Sequence, residues 1–175
     1  IQISDSLYAT LLANDQVKQM SAFATKAGIV KTKDEILGVV LKGVSDEYDW
    51  SFFKDNLISG TCLSLTDSVK SNQVLISETS ANVLQLGMGD NLIMYFVQDP
   101  PRVRKFEIAG IYNTALADFD KLFVMGDIKH IQQLNAWENN QIGGLEIAVN
   151  DFSNLKEITE EIYEQIPYDL NAESV

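Results

Sequence analysis

The chain is 175 residues long, 46% hydrophobic and 22% charged, enough for one large domain or two small ones with a real core. Its 25 acidic residues outnumber 13 basic ones, leaving a formal net charge of -12. That balance argues against a nucleic-acid partner, whose phosphates need a basic footprint, and against docking on anionic lipid. No apolar run reaches the ~18 residues that a membrane-crossing helix needs.

In chain order, ISDSLYATLLAN sets Ile3, Leu7, Leu11 and Leu12 on one helical face, with Ser4 or Asp5 as N-cap. MSAFATKAGIV and ILGVVLKGV read as two strands joined by a turn over Lys31 to Glu35, with Leu37, Val39 and Leu41 sharing a face. DEYDWSFFKDNL is a short aromatic helix carrying Trp50, Phe53 and Leu57. ISGTCLSLTDSVKSN is a loop with a short extended piece, and QVLIS is a strand.

SETSANVLQLG predicts a helix capped by Ser77 and stopped at Gly87. Gly89 and Asp90 then turn the chain into a hairpin. Its first strand, Leu92 to Val97, is apolar on both faces and is expected to be covered on both. The turn is QDPPR, and Phe106, Ile108 and Tyr112 are expected on one face of the returning strand, which ends at Gly110 and Ile111. NTALAD is an exposed turn before the short strand KLFVM. Asp127 caps a helix with Ile128, Ile131 and Leu134 inward. LEIAVN is a strand, and SNLKEITEEIYEQI a helix with Leu155, Ile158, Ile162 and Ile166 in line. The start at Ile1, without methionine or signal peptide, and the end in YDLNAESV, which reads as a strand beginning, are what an excised piece of a longer protein would show.

Strand pairs mixed with short helices give an α+β class rather than a doubly wound parallel sheet. Residues 1–54 with 139–175 are expected to form one discontinuous lobe, and residues 55–138 a second, β-rich lobe inserted into it.

Chemistry is harder to find. LGMGDN has two glycines, but a helix precedes it and a strand follows, the wrong order for a phosphate loop. The lone Cys62 excludes an internal disulfide framework and a cysteine-based zinc site, has no base beside it, and reads as a small buried or semi-buried residue. The lone His130 falls on the presumed polar side of its helix, a surface histidine rather than a general base. SDEYDW lacks the spacing and glycine of a calcium loop. Asp118 and Asp120 remain: two apart, they could hold a cation or do acid–base work, or they could anchor the turn that re-enters a strand, Asp120 being the anchor. No catalytic, cofactor-binding or metal-binding residue is assigned, and no cofactor is expected.

The order of segments resembles the extracytoplasmic domain of MacB/FtsX-type ABC transporter permeases, with the lipoprotein-releasing LolC and LolE as the subgroup it looks most like. The residues that carry this are LKGVS (Leu41 to Ser45), ISG (Ile58 to Gly60), VLISETSANVLQLGMGDNL (Val74 to Leu92), FEIAGIYNTALADFD and LEIAVNDFSNLKEITEEI. The resemblance implies a MacB-type periplasmic fold with a porter-like lobe from both chain ends and an inserted sabre-like lobe. It implies a domain without chemistry that passes ATP-driven movement across the inner membrane, on its periplasmic side. The partners it implies are the protein's own transmembrane helices, a cytoplasmic ABC ATPase, a second permease subunit and a periplasmic lipoprotein carrier or cargo. Exposed loops are the expected partner contacts: Gln98, Asp99, Pro100, Pro101 and Arg102 at the hairpin tip, Asn113 and Thr114 after Tyr112. A ligand-binding or sensory ectodomain is the alternative, with an apolar cleft holding a small molecule or an acyl chain.

Overall fold

The computed structural model describes residues Ile1–Val175, and the chain runs α1 (Asp5–Leu12), β1 (Val17–Lys31), β2 (Ile36–Val44), α2 (Ser51–Asp55), β3 (Leu57–Gly60), β4 (Gln73–Ser77) and α3 (Glu78–Leu84). The second half holds β5 (Asn91–Phe96), β6 (Arg102–Tyr112), α4 (Ala117–Leu122), β7 (Phe123–Asp127), α5 (Ile128–Leu134), β8 (Gly144–Val149) and α6 (Leu155–Gln165). The class is α+β, as expected.

All eight strands belong to one sheet, and six of them close into a ring in the order β1–β2–β7–β4–β6–β5 and back to β1. The long β1 makes this closure workable. Its second half pairs with β2 from Phe23↔Val44 to Lys31↔Ile36, and Ile29 and Val30 meet Tyr95 and Met94 of β5 on the other edge. Its first half carries β8 from Val17↔Val149 to Phe23↔Gly144. The parallel pairs β2–β7 and β4–β6 meet at the single register pair Leu75↔Met125. Strands from the stretches 1–54 and 139–175 are therefore hydrogen-bonded to strands from 55–138.

Alternation along these strands makes two cores. One face of the ring, with α3 and α5 laid on it, buries 19 residues, among them Val30, Leu41, Val74, Ile76, Leu92, Met94, Phe106, Ile108, Val124 and Ile131. The opposite face buries Val44, Phe53, Leu63, Leu75, Tyr112 and Met125 under α2 and the β3 loop. A third cluster belongs to the chain ends: Leu11, Val17, Met20, Val149, Ile158 and Ile162.

Several expectations are corrected. Leu12 is exposed and Leu11 alone of that pair is buried, because α1 ends there. In β5 only Leu92, Met94 and Phe96 are buried while Tyr95 and Val97 face solvent, so the strand is covered on one side. Tyr112 lies on the opposite face from Phe106 and Ile108. The register shift between Val74↔Ile108 and Leu75↔Gly110 inserts Ala109 as a bulge, which reverses the side-chain alternation beyond it. Helix α3 stops at Gln85, which takes the left-handed conformation itself (φ 54°), two residues before Gly87. Asp118 and Asp120 fall in a helix, α4, where a turn was expected. YDLNAESV forms no strand.

Candidate functional site

The glycines and acids of the sequence pattern hold turns. Asp90 accepts a hydrogen bond from the Gly87 amide (2.8 Å), and Gly89 sits at φ +85°, a conformation that glycine takes without cost. A side chain on Gly110 would meet the Thr61 carbonyl at 2.7 Å, so β3 can pack there only against a bare backbone.

Asp118 and Asp120 do not form a pair. Within α4 they point apart: Asp118 is exposed, Asp120 is buried. The Asp120 carboxylate accepts from the Thr114 hydroxyl (2.6 Å) and amide (3.1 Å), and its backbone carbonyl accepts from the Ser77 hydroxyl. Ser77 also caps α3 by accepting from the Ser80 amide (3.0 Å). The carboxylate thus ties α4 to the turn after β6, and the backbone carbonyl ties it to the junction of β4 and α3. Thr114, expected as a contact residue, is buried in this latch, whereas Asn113 is exposed, its amide donating to Glu78 (2.9 Å). The Tyr112 hydroxyl donates to the Phe123 carbonyl (2.5 Å), and burial pushes its pKa above the ordinary tyrosine value.

The hairpin tip and the latch stand at opposite ends of β6, whose 11 residues separate them by roughly 30 Å along the strand. They cannot form one surface. At the tip Asp99, Pro100, Pro101 and Arg102 are exposed, while Gln98 folds back and donates to the Leu134 carbonyl (3.1 Å).

His130 is the largest departure from the sequence reading: it is buried, not on the surface. Its Nε2 lies 2.7 Å from the Ser71 carbonyl, its ring stands edge-on to Phe106 at 4.8 Å, and its Nδ1 has no partner. Burial holds its pKa down at about 4. Next to it the buried Asp127 accepts from the Ser71 amide (2.8 Å) and the Lys129 amide (3.0 Å). His130 and Asp127 together staple the β3–β4 loop to α5. The signal was present in the i, i+4 spacing of His130 and Leu134, which puts the imidazole near the apolar face. Cys62 is half-buried, and burial raises its pKa. No three His, Cys, Asp or Glu side chains converge as a metal site would require, and no helix is long and apolar enough to cross a membrane.

A cleft of about 770 Å³ lies at the chain ends, lined by Leu7, Leu11, Leu145, Ile147, Ile158 and Ile162 and by residues 169–175.

No protein-family model matches the sequence, and none of the curated proteins does. The fold nevertheless is that of the MacB-type extracytoplasmic domains of ABC transporter permeases. The extracellular domain of the ABC-type transporter YknZ from Gram-positive bacteria superimposes with a TM-score of 0.66 at 16% identity, over 93% of this chain and 81% of that one. The periplasmic region of MacB from Actinobacillus actinomycetemcomitans does so with a TM-score of 0.63 at 16% identity, over 94% and 73%.

Proposed function

We propose that this chain is the non-catalytic extracytoplasmic domain of an ABC transporter permease, held at the outer face of a cell membrane by transmembrane helices of its own protein. One observation carries the reading: its fold follows those of two such domains over 93% and 94% of its length. The internal geometry agrees with a mechanical role. The Asp120 carboxylate is buried and turned to Thr114, away from Asp118, and a single sheet joins residues 1–54 and 139–175 to residues 55–138. The terminal stretches, as the porter-like part, take up movement generated by ATP hydrolysis in a cytoplasmic subunit. The sabre-like stretch 55–138 delivers it to a second permease subunit, or to a carrier or cargo met at Asp99–Arg102 or Asn113. Coupling of this kind is a population shift between arrangements, driven from a distant site. Lipoprotein release, or related envelope export, is the transport it would serve.

The test is purification of the natural full-length protein from its own membrane. The expected result is a hydrophobic span on each side of this domain and a co-purifying ATPase whose hydrolysis persists when the domain is deleted while export stops. A natural chain with no such spans, or one that turns over a metabolite by itself, overturns the reading.

The apolar cleft favours a second reading, a ligand-binding ectodomain, since 770 Å³ lies in the range of small-molecule sites. Saturable stabilisation by a small molecule in a thermal-shift screen would speak for it.

A further inference from the structure

The sheet is covered unevenly. On the face that α2 and the β3 loop partly cover, β2 is buried at Val44, and Lys42 is paired with Glu146 over the Phe23 ring. Beyond Lys42 the same face is open. One row crosses four strands by register: Gly38 beside Ile29, Ile29 beside Tyr95, and Tyr95 beside Val103. Side chains two residues apart on a strand share a face. The row on one side therefore holds the pairs Lys31–Ile36 and Ile93–Lys105, and the row on the other side Ala27–Val40 and Val97. Ile29, Ile36, Tyr95, Val97 and Val103 keep between 38% and 85% of their surface exposed. Strand spacing and rise make the band roughly 15–20 Å each way, on the order of 300 Å², an apolar patch of the size that is often functional.

Charge limits what fits there. The chain carries -12, so most surfaces of one copy repel those of another. The outward positions of these four strands hold Lys31, Lys42 and Lys105 against Glu107, and the turns 32–35 and 98–102 add two basic and three acidic residues. This end carries no net negative charge, and it is where two copies approach with least repulsion. The central row is also self-complementary, as a two-fold contact requires. An axis along the strands, between β1 and β5, sets Ile29 over Tyr95 of the second copy and Gly38 over Val103 of the second copy. A Cβ on Gly38 would meet nothing within 4 Å, so Gly38 leaves a notch that the facing valine fills. The same axis sets Lys31 over Ile93 and Lys105 over Ile36 of the second copy, with no like charges opposed in these rows.

We infer that the open face of β2, β1, β5 and β6 is a contact between two copies of this chain, packed sheet on sheet about a two-fold axis. Sheets packed in this way lie about 10 Å apart with their strands within about 30° of each other. The area, about 600 Å² over both copies, is below the ~1,200 Å² of a stable specific complex. The contact is therefore weak between free chains and fills when two copies are held side by side at high effective concentration. It depends on the surface of this chain alone and stands whether or not the domain serves a permease.

Sedimentation equilibrium at up to millimolar concentration gives the first reading. Dimers with a Kd on the order of 1 mM or tighter are expected. Raising NaCl from about 0.05 to about 0.5 M is expected to tighten them about threefold, because salt screens the like charge of the two copies. Tyr95→Glu with Val103→Glu, both at exposed positions, is expected to abolish the dimer at an unchanged melting temperature. A chain that stays monomeric at millimolar concentration in high salt, or a dimer that survives the double substitution, overturns the inference. Dimers that loosen with salt pair this face with an acidic surface and overturn it too, as does binding to phosphatidylglycerol vesicles that the double substitution removes. Cross-linking reads the arrangement, with Cys62→Ser as background. Chains with Gly38→Cys mixed with chains with Val103→Cys are expected to join, through a bismaleimide that spans the sheet separation of about 10 Å, at least about tenfold faster than Val103→Cys chains join each other. The natural full-length protein in its own membrane is expected to give the same order. Equal rates, or the reverse order, overturn the two-fold contact.

Discussion

In the ring every strand has a partner on both edges; one face is covered by α3 and α5, and the other is covered in part by α2 and the β3 loop. At the chain ends β8 has one partner, and the covering helix α6 and the segment after it are held chiefly by a six-residue apolar cluster. The two regions share β1, so they share a backbone but not a stability. Elements with a bonded edge on each side and a core on each face open only with the whole domain, whereas elements held by one apolar contact set open locally. A continuous sheet need not be one cooperative unit, and on these contacts the chain-end stretches are expected to open before the ring does.

The comparison breaks most visibly at the ring. Phe106→Ala removes a fully buried ring from the larger core and is expected to cost about 3–5 kcal/mol, read as a lower urea midpoint with one cooperative transition. A loss under about 1 kcal/mol would mean that the ring is not the stability-determining region.

Acid is the next lever. His130 is held neutral in the fold, with a pKa of about 4 against an ordinary 6.5. Its contribution is therefore complete above pH 6.5, is lost as the pH falls from 6.5 towards 4, and levels off below that. The loss is on the order of 3 kcal/mol, and melts between pH 7 and 4 measure it. His130→Gln is expected to flatten that slope; an unchanged slope would assign the acid sensitivity elsewhere.

The smallest global effect belongs to the termini. Ile162→Ala opens a cavity in the terminal cluster, yet it is expected to lower the global unfolding free energy by less than about 1 kcal/mol while the amides of α6 and β8 lose protection. If ring amides lose protection equally, the two regions are one unit after all.

Local pattern was enough for the elements that answer to near neighbours. Ser77 and Asp127 cap α3 and α5 because their side chains reach amides two or three residues on. The line of Leu155, Ile158, Ile162 and Ile166 specifies α6, and Leu37, Val39 and Leu41 specify the face of β2. The resemblance in segment order also led to the MacB-type fold. What failed depended on partners distant in sequence. Tyr112 changed faces because the register against β4 slips by one residue at Ala109. Asp120 found Thr114 and Ser77 rather than Asp118. His130 was enclosed by the β3–β4 loop, whose Ser71 is 59 residues away.

By itself, then, the sequence determined most of the helices and strands and, away from the bulge, how their side chains alternate. Those properties follow from side-chain periodicity and short-range hydrogen bonds, which any stretch of chain carries with it. The tertiary structure alone decided that six strands close into a ring, that a candidate carboxylate is a latch and a surface histidine a staple, and that YDLNAESV pairs with no strand. Each of those outcomes depends on which groups meet across the fold, and a buried polar group takes whichever partner the packing brings within reach.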